Sequence, residues 1–269
     1  MQIALDLSGM PTVPPDSALL VAADNVARVL FGIDVCETDL RRAEAEGYDL
    51  VIAHHPFGQW RIIGMLGRHN DLMLQAGVPA GAAMEACQRN MEPYTRRAAE
   101  LPLDDDTERL AAMARDLGIG LMNIHGPCDE LGRIELQRLA DELVDTASVS
   151  DLVSAYRAIP EIAASDEDVE LVCGSIDSCV GRTVVIHGAG TNGGYPVATA
   201  LFDAGVNTVV YIHLRSQEQK SQLAQESKGN LILTGHYGSD SRGINPFLDV
   251  LENEGIEVVC FANMIRIKR

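Results

Sequence analysis

From Val29 onward the chain alternates short apolar, β-branched runs with longer stretches whose apolar positions recur every three to four residues, the pattern of strands alternating with amphipathic helices. Strands are predicted at Val29–Val35, Leu50–Ala53, Leu121–Ile124, Thr183–Ile186, Thr208–Ile212, Leu231–Thr234 and Ile256–Phe261. Most are apolar at nearly every position, as strands covered on both faces are, so a largely parallel arrangement is expected. Helices are predicted at Glu37–Glu46, Thr107–Leu117, Leu131–Val144, Tyr195–Ala204, Ser216–Glu226 and Arg242–Asn253, several of them stopped by Gly47, Gly118, Gly205 or Gly255. The fold class is α/β, with largely parallel sheets flanked by helices. Residues 81–110, a polar helical stretch interrupted by Pro93 and Pro102, and the lower-order region 145–180 are expected as excursions from the main sheet. Gly9, Pro11, Pro14 and Pro15 predict an irregular arm over the first twenty residues. Residues 1–269 are expected to form one unit, with two α/β lobes (about 20–145 and 180–269) joined by an irregular 145–180 as a possible subdivision.

Composition narrows the partners. An apolar fraction of 46% in 269 residues supports a buried core. Twenty-one basic against 39 acidic residues give a formal charge of −18 with no basic patch, which argues against nucleic acid and anionic membranes. An anionic small molecule would need cations to invert the field locally. Six cysteines without a Cys-x-x-Cys pair fit reduced thiols, no basic residue precedes Arg28, and no apolar run reaches membrane-spanning length; a soluble cytoplasmic protein is expected.

Candidate chemistry gathers where strands end. Leu50–Ala53 runs straight into His54-His55-Pro56, Leu121–Ile124 into His125-Gly-Pro-Cys-Asp129, and Leu231–Thr234 through Gly235 into His236-Tyr-Gly-Ser-Asp240. Four of the seven histidines thus stand at the ends of three predicted strands, two of them with a carboxylate four positions on. If these strands are parallel, the side chains converge on one sheet edge, where open α/β sheets bind ligands. Imidazoles and carboxylates suit zinc, iron, manganese, nickel or cobalt better than calcium or an iron–sulfur cluster. Asp240, on the turn opening the next helix, is the candidate bridge between two ions.

These motifs resemble those of the Nif-three-like dinuclear metal centre family, whose members also carry the name GTP cyclohydrolase I type 2 homologue. Arg28-Val-Leu-Phe-Gly-Ile-Asp34-Val and Gly47-Tyr-Asp-Leu-Val-Ile-Ala-His54-His55-Pro56 are similar to its first metal motif. His125-Gly-Pro-Cys-Asp129 resembles its second and Gly235-His236-Tyr-Gly-Ser-Asp240-Ser-Arg-Gly-Ile its third. The resemblance implies the Nif-three-like fold, a homohexamer, two divalent metal ions per chain held by His54, His55, Asp129, His236 and Asp240, and His125 lining the site. The family usually has Glu where Asp240 stands, and residues 63–118 match none of its motifs.

Gly188-Ala-Gly190-Thr-Asn-Gly193-Gly194, after Val184-Val-Ile-His187, spells a dinucleotide fingerprint, but the next strand ends without the acid that would hold a ribose. That weighs toward a tight turn or a phosphate-cradling loop. His69, His187 and His213 read as structural histidines, and Cys128 as a small buried filler rather than a nucleophile. The function expected is metal-dependent hydrolysis of a small phosphorylated or nucleotide-like substrate, with His125 shuttling a proton. A non-catalytic metal-handling or regulatory protein, and GTP-type ring opening, are the alternatives.

Overall fold

The computed structural model describes residues 1–58, 66–99, 105–144, 146–187 and 193–269, with no side-chain description at 66, 67, 97, 98 and 105. Two sheets form the frame. The first contains β1 (Ala18–Val21), β2 (Arg28–Gly32), β3 (Leu50–Ala53), β4 (Gly120–Asn123) and, from the far end of the chain, β9 (Glu257–Phe261), in the order β1-β4-β3-β2-β9. The second contains β5 (Glu170–Cys173), β6 (Thr183–Val185), β7 (Thr208–Tyr211) and β8 (Asn230–Leu233), in the order β5-β8-β7-β6. Pairing is parallel except that β1 runs antiparallel to β4 and β5 antiparallel to β8. Order and direction of β1–β4 therefore repeat in β5–β8.

Helices cover these sheets. They are α1 (Gln2–Ser8), α2 (Glu37–Glu46), α3 (Leu66–Gln75), α4 (Ala80–Ala99), α5 (Asp105–Leu117), α6 (Gly126–Asp141), α7 (Val149–Arg157), α8 (Pro160–Ala163), α9 (Gly194–Asp203), α10 (Gln217–Glu226) and α11 (His236–Asn253). On the first sheet, Leu40 and Ala43 of α2 and Leu110 and Ala114 of α5 bury one face, while Ile244, Phe247, Leu248 and Leu251 of α11 bury the other. On the second, α3, α4 and α9 cover one face, and Leu136 and Ala140 of α6 join α7 on the other. So α6 follows a strand of the first sheet and packs on the second, whereas α11 follows a strand of the second and packs on the first. The two helices cross between the sheets.

That crossing is possible because glycine meets glycine. His125-x3-Asp129-x2-Gly132 in α6 repeats as His236-x3-Asp240-x2-Gly243 in α11. A Cβ on Gly243 would lie 2.1 Å from the Cys128 carbonyl oxygen and 2.8 Å from the Gly132 nitrogen, and one on Gly132 would lie 3.2 Å from the Ser239 carbonyl oxygen. Only bare backbones approach so closely.

Several expectations change. The first twenty residues are not an irregular arm throughout: Gln2–Ser8 is helical, burying Ala4, Leu5 and Ser8 against α6 and α11 before Gly9 ends it. Region 145–180 is not irregular either, since it carries α7, α8 and β5. Val149, Leu152, Val153 and Tyr156 recur at helical spacing and are buried, and Ser148 and Asp151 form a capping box. The remaining strand and helix expectations fall on observed elements with ends shifted by up to three residues, except that α6 and α11 begin five and six residues earlier than expected, at Gly126 and His236. Of the glycine loop, residues 188–192 lie outside the described residues, as does Asp104 of the acidic run.

Tyr156 ties this region down. Its fully buried hydroxyl donates to the Leu136 carbonyl of α6 at 3.1 Å. Tyr156→Phe, which leaves that carbonyl without this donor, should cost about 1 kcal/mol. Thermal denaturation should register this as a midpoint lowered by roughly 2–4 °C.

Candidate metal centre

The repeated topology brings three strand ends and two helix starts to one place. Beyond β3 the ladder to β2 continues, with the backbone N–H groups of His54 and His55 donating to the Gly32 and Ile33 carbonyls at 2.9 Å each. Beyond β4 and β8 the chain turns at once into α6 and α11, so His125 and Asp129, and His236 and Asp240, share a helix face at i, i+4 spacing. The positive ends of both helix dipoles favour carboxylates there.

All five residues expected as ligands, together with His125, are brought within one cluster. Asp129 Oδ1 lies 3.2 Å from His54 Nε2, and Asp129 Oδ2 lies 3.4 Å from His125 Nε2. Asp240 Oδ2 lies 3.1, 3.6 and 3.7 Å from the Nε2 atoms of His236, His55 and His54. The shorter Asp side chain, in place of the family's Glu, thus still lands among three imidazoles. Ligand atoms of His54, His55 and His125, of His55, His236 and Asp240, and of His54, Asp129 and Asp240 each fall within 4.8 Å of one another.

Three imidazoles are held from behind. His54 Nδ1 donates to the Ile124 carbonyl at 3.0 Å, His55 Nδ1 to Asp34 at 2.7 Å and His125 Nδ1 to Asp16 at 2.7 Å. A carbonyl or carboxylate only accepts, so the proton sits on Nδ1 and each Nε2 faces the cluster. Ser17 Oγ also accepts from the His125 backbone N–H at 2.9 Å. Glu167 does the equivalent work in the second half, accepting from the backbone N–H groups of His236 and Tyr237 at 2.6 and 3.0 Å. It caps α11 from outside the helix, and Gly235 (φ +91°) leaves room, since a Cβ there would lie 3.1 Å from that of Glu167.

Electrostatics match a cation. Burial opposes charge on Asp129 and Asp240, yet His125 and His54 around the first, and His236 and His187 around the second, hold both carboxyl groups below the usual range. Burial likewise works against an imidazolium at His55, but Asp240 and Asp34 overcome it and push the group up to about 10. Burial leads in depressing His54, against the pull of Asp129 and Asp240. Even so, His54 Nε2, Asp129 Oδ1 and Asp240 Oδ2 are buried without a hydrogen-bond partner among the described residues. Such orphaned atoms are costly unless something charged satisfies them. Donor type, convergence and orphaned atoms fit a divalent metal ion, and these buried groups could hold one.

His187, read from the sequence as structural, belongs to the site: its Nε2 lies 3.2 Å from Asp240 Oδ1 and 3.7 Å from Asp129 Oδ1. Asp16 and Glu167 carry no local signal and are assembled only by the fold; Asp34, part of the first motif, enters as the partner of His55. His213 lies one layer out, its ring centroid 4.7 Å from that of His236. Burial first, then His236 and Arg215, press its pKa down to about 3. Cys128 is fully buried, which pushes its thiol well up and suits the filler role. A cavity of about 670 Å³ opens onto the cluster and is lined also by Arg89, Pro93 and Tyr94 of α4 and by Leu214, Arg215 and Ser216 before α10.

Residues 17–76 match the Duf34/NIF3 (NGG1p interacting factor 3) family. A protein of Archaeoglobus fulgidus named GTP cyclohydrolase 1 type 2 homolog is 22% identical over 263 residues, covering 95% of this chain and 91% of that protein. Reduced HcgD from Methanocaldococcus jannaschii shares the fold at 12% identity and a TM-score of 0.58, over 96% of this chain and 94% of its own. The crystal structure of a NIF3 superfamily protein from Sphaerobacter thermophilus superposes with a TM-score of 0.89 at 41% identity, over 97% of this chain and 96% of that one. With identity of that order across nearly the whole of both chains, and with the α/β fold in common, this protein belongs to the NIF3 superfamily.

Proposed function

We propose that the chain binds two divalent metal ions and hydrolyses a small phosphorylated or nucleotide-like substrate. The observation that carries this reading is Asp240, buried with an orphaned oxygen among the imidazoles of His54, His55 and His236, next to a cavity of small-molecule size. His54, His55, Asp129, His236 and Asp240 would hold the ions, Asp240 belonging both to the group with His54 and Asp129 and to the group with His55 and His236. Divalent ions held there supply Lewis acidity to the electrophile and to water. Asp34 and the Ile124 carbonyl orient His55 and His54. His125, fixed by Asp16 with Nε2 toward the cluster, accepts a proton from the attacking water and returns it to the leaving group. The hydroxyl joins the electrophile, so water adds across the broken bond. The A. fulgidus relative's name adds GTP ring opening as a reaction of the same kind.

Protein purified without added metal should contain about two equivalents of a transition metal or zinc by elemental analysis. Removing it with a chelator should abolish turnover across a panel of nucleotides and phosphoesters, and re-addition should restore it. Unchanged turnover after demonstrated metal loss rules out metal-assisted hydrolysis. Exchangeable metal with no turnover on any panel member favours the metal-handling alternative.

A further inference from the structure

The cavity in front of the cluster is lined by two unlike sets of residues. Every carboxylate that lines it (Asp34, Asp129 and Asp240) belongs to the cluster or orients one of its histidines. Its lining also carries the guanidinium residues Arg89 and Arg215, on stretches of chain (Arg89–Tyr94 and Ile212–Gln219) that contribute no acid to it. Arg89 also borders a second depression formed with Tyr195 and Thr199 of α9, which no cluster residue reaches, so it marks the end away from the imidazoles.

These two arginines are under-used. In a chain with 39 acidic and 21 basic residues, cations are readily neutralised, and Arg28, Arg68, Arg133, Arg157, Arg242 and Arg266 all sit in salt bridges of about 3 Å or less. Arg89 makes only a 4.0 Å contact with Glu85, and Arg215 makes no salt bridge among the described residues. Beside them Tyr94, 41% exposed, together with Pro93 and Leu214 offers an apolar wall, and Ser216 a hydroxyl. Such a surface suits a dianionic head attached to an organic body.

We infer that Arg89 and Arg215 take the phosphate of a small phosphomonoester whose organic part lies against Tyr94 and Leu214 and whose reacting bond lies at the histidine and aspartate end. The phosphate is then a handle and not the group attacked. The inference rests on the hydrolase reading for the identity of the reacting end, but the handle itself needs only the two arginines. A dianion of nearly two charges at neutral pH matches two guanidiniums.

Inorganic phosphate is the probe, titrated calorimetrically into the full chain in metal-stripped and metal-loaded form. Metal-stripped wild type should bind it; Arg89→Gln and Arg215→Gln should each weaken binding about tenfold, ~1.4 kcal/mol, and the double substitution should remove it, with metal content of the loaded variants unchanged. Both side chains are exposed, so the glutamine variants should fold normally. Absence of phosphate binding to stripped wild type at millimolar concentration, or wild-type affinity in the double variant, overturns the assignment. Release of inorganic phosphate as the product of turnover overturns the handle role. Wild type that takes up no metal on reloading, yet still shows arginine-dependent phosphate binding, would instead sink the metal reading and leave this one standing.

Discussion

Asp240→Ala should strip the protein of most of its metal while leaving the fold in place. Asp240 belongs to two of the three groups of ligand atoms that converge within 4.8 Å, and its Oδ2 faces His54, His55 and His236 at once. Its loss removes an oxygen that faces three imidazoles drawn from both halves of the cluster. A partner that merely orients a ligand is worth about 10–100-fold in metal affinity, so loss of this carboxylate should cost at least that. Asp34→Ala, which only frees His55 Nδ1, provides the lower rung. Asp240→Glu, which restores the residue usual in the family at the expense of a methylene in a site 1% exposed, should retain metal. Elemental analysis of the three variants, with circular dichroism to verify folding, gives the expected order Glu above Asp34→Ala above Asp240→Ala. Full metal in Asp240→Ala would remove Asp240 from the ligand set.

The order of these variants depends on residues of unequal visibility. His54, His55, His125, Asp129, His236 and Asp240 were legible because the histidines stand at or just past the ends of buried strands with the two carboxylates four positions further on, and a run such as Leu231–Thr234 is apolar at nearly every position. The seven strands expected are β2, β3, β4, β6, β7, β8 and β9, all with parallel neighbours. The two that escaped, β1 and β5, are antiparallel edge strands of four residues with half-exposed or exposed positions. β1 is apolar throughout but follows the Gly9–Pro15 stretch that reads as an irregular arm, and β5, opening on Glu170, lies in the 145–180 region that reads as lower-order. Asp16 and Glu167 stand just before those two strands, each reaching the histidine at the start of the helix after the strand's partner. Missing the edges therefore meant missing the residues that steady the site. His187 was visible but misread, because no carboxylate follows it at a ligand spacing; its contacts come from α6 and α11. The repeat of His-x3-Asp-x2-Gly was written in the sequence, yet its meaning depends on two helices crossing at their glycines.

That crossing makes Gly243→Ala the second large effect. A methyl group at this position would sit 2.1 Å from the Cys128 carbonyl oxygen, well inside any real contact, and backbone cannot rotate away as a side chain can. Overpacking of a core ordinarily costs about 1–3 kcal/mol, and forcing two helices apart should reach or exceed the top of that range. At roughly 2–4 °C per kcal/mol for a chain of this size, the melting midpoint should fall by about 10 °C. The damage should not be confined to stability. Gly243 lies three residues after Asp240, and the Cys128 carbonyl it would strike precedes Asp129, so a shift of α11 on α6 separates the two carboxylates that share His54. Metal retention should fall with the melting temperature, and added metal should narrow the gap from wild type only at concentrations well above those that saturate it. Gly81→Ala in α4, where nothing lies within 4 Å, is the control. It should be neutral or stabilise by about 0.5–1 kcal/mol, since alanine is the better helix former. Equal melting temperatures for the two variants would mean that the glycines are not what lets α6 and α11 bring the halves of the site together.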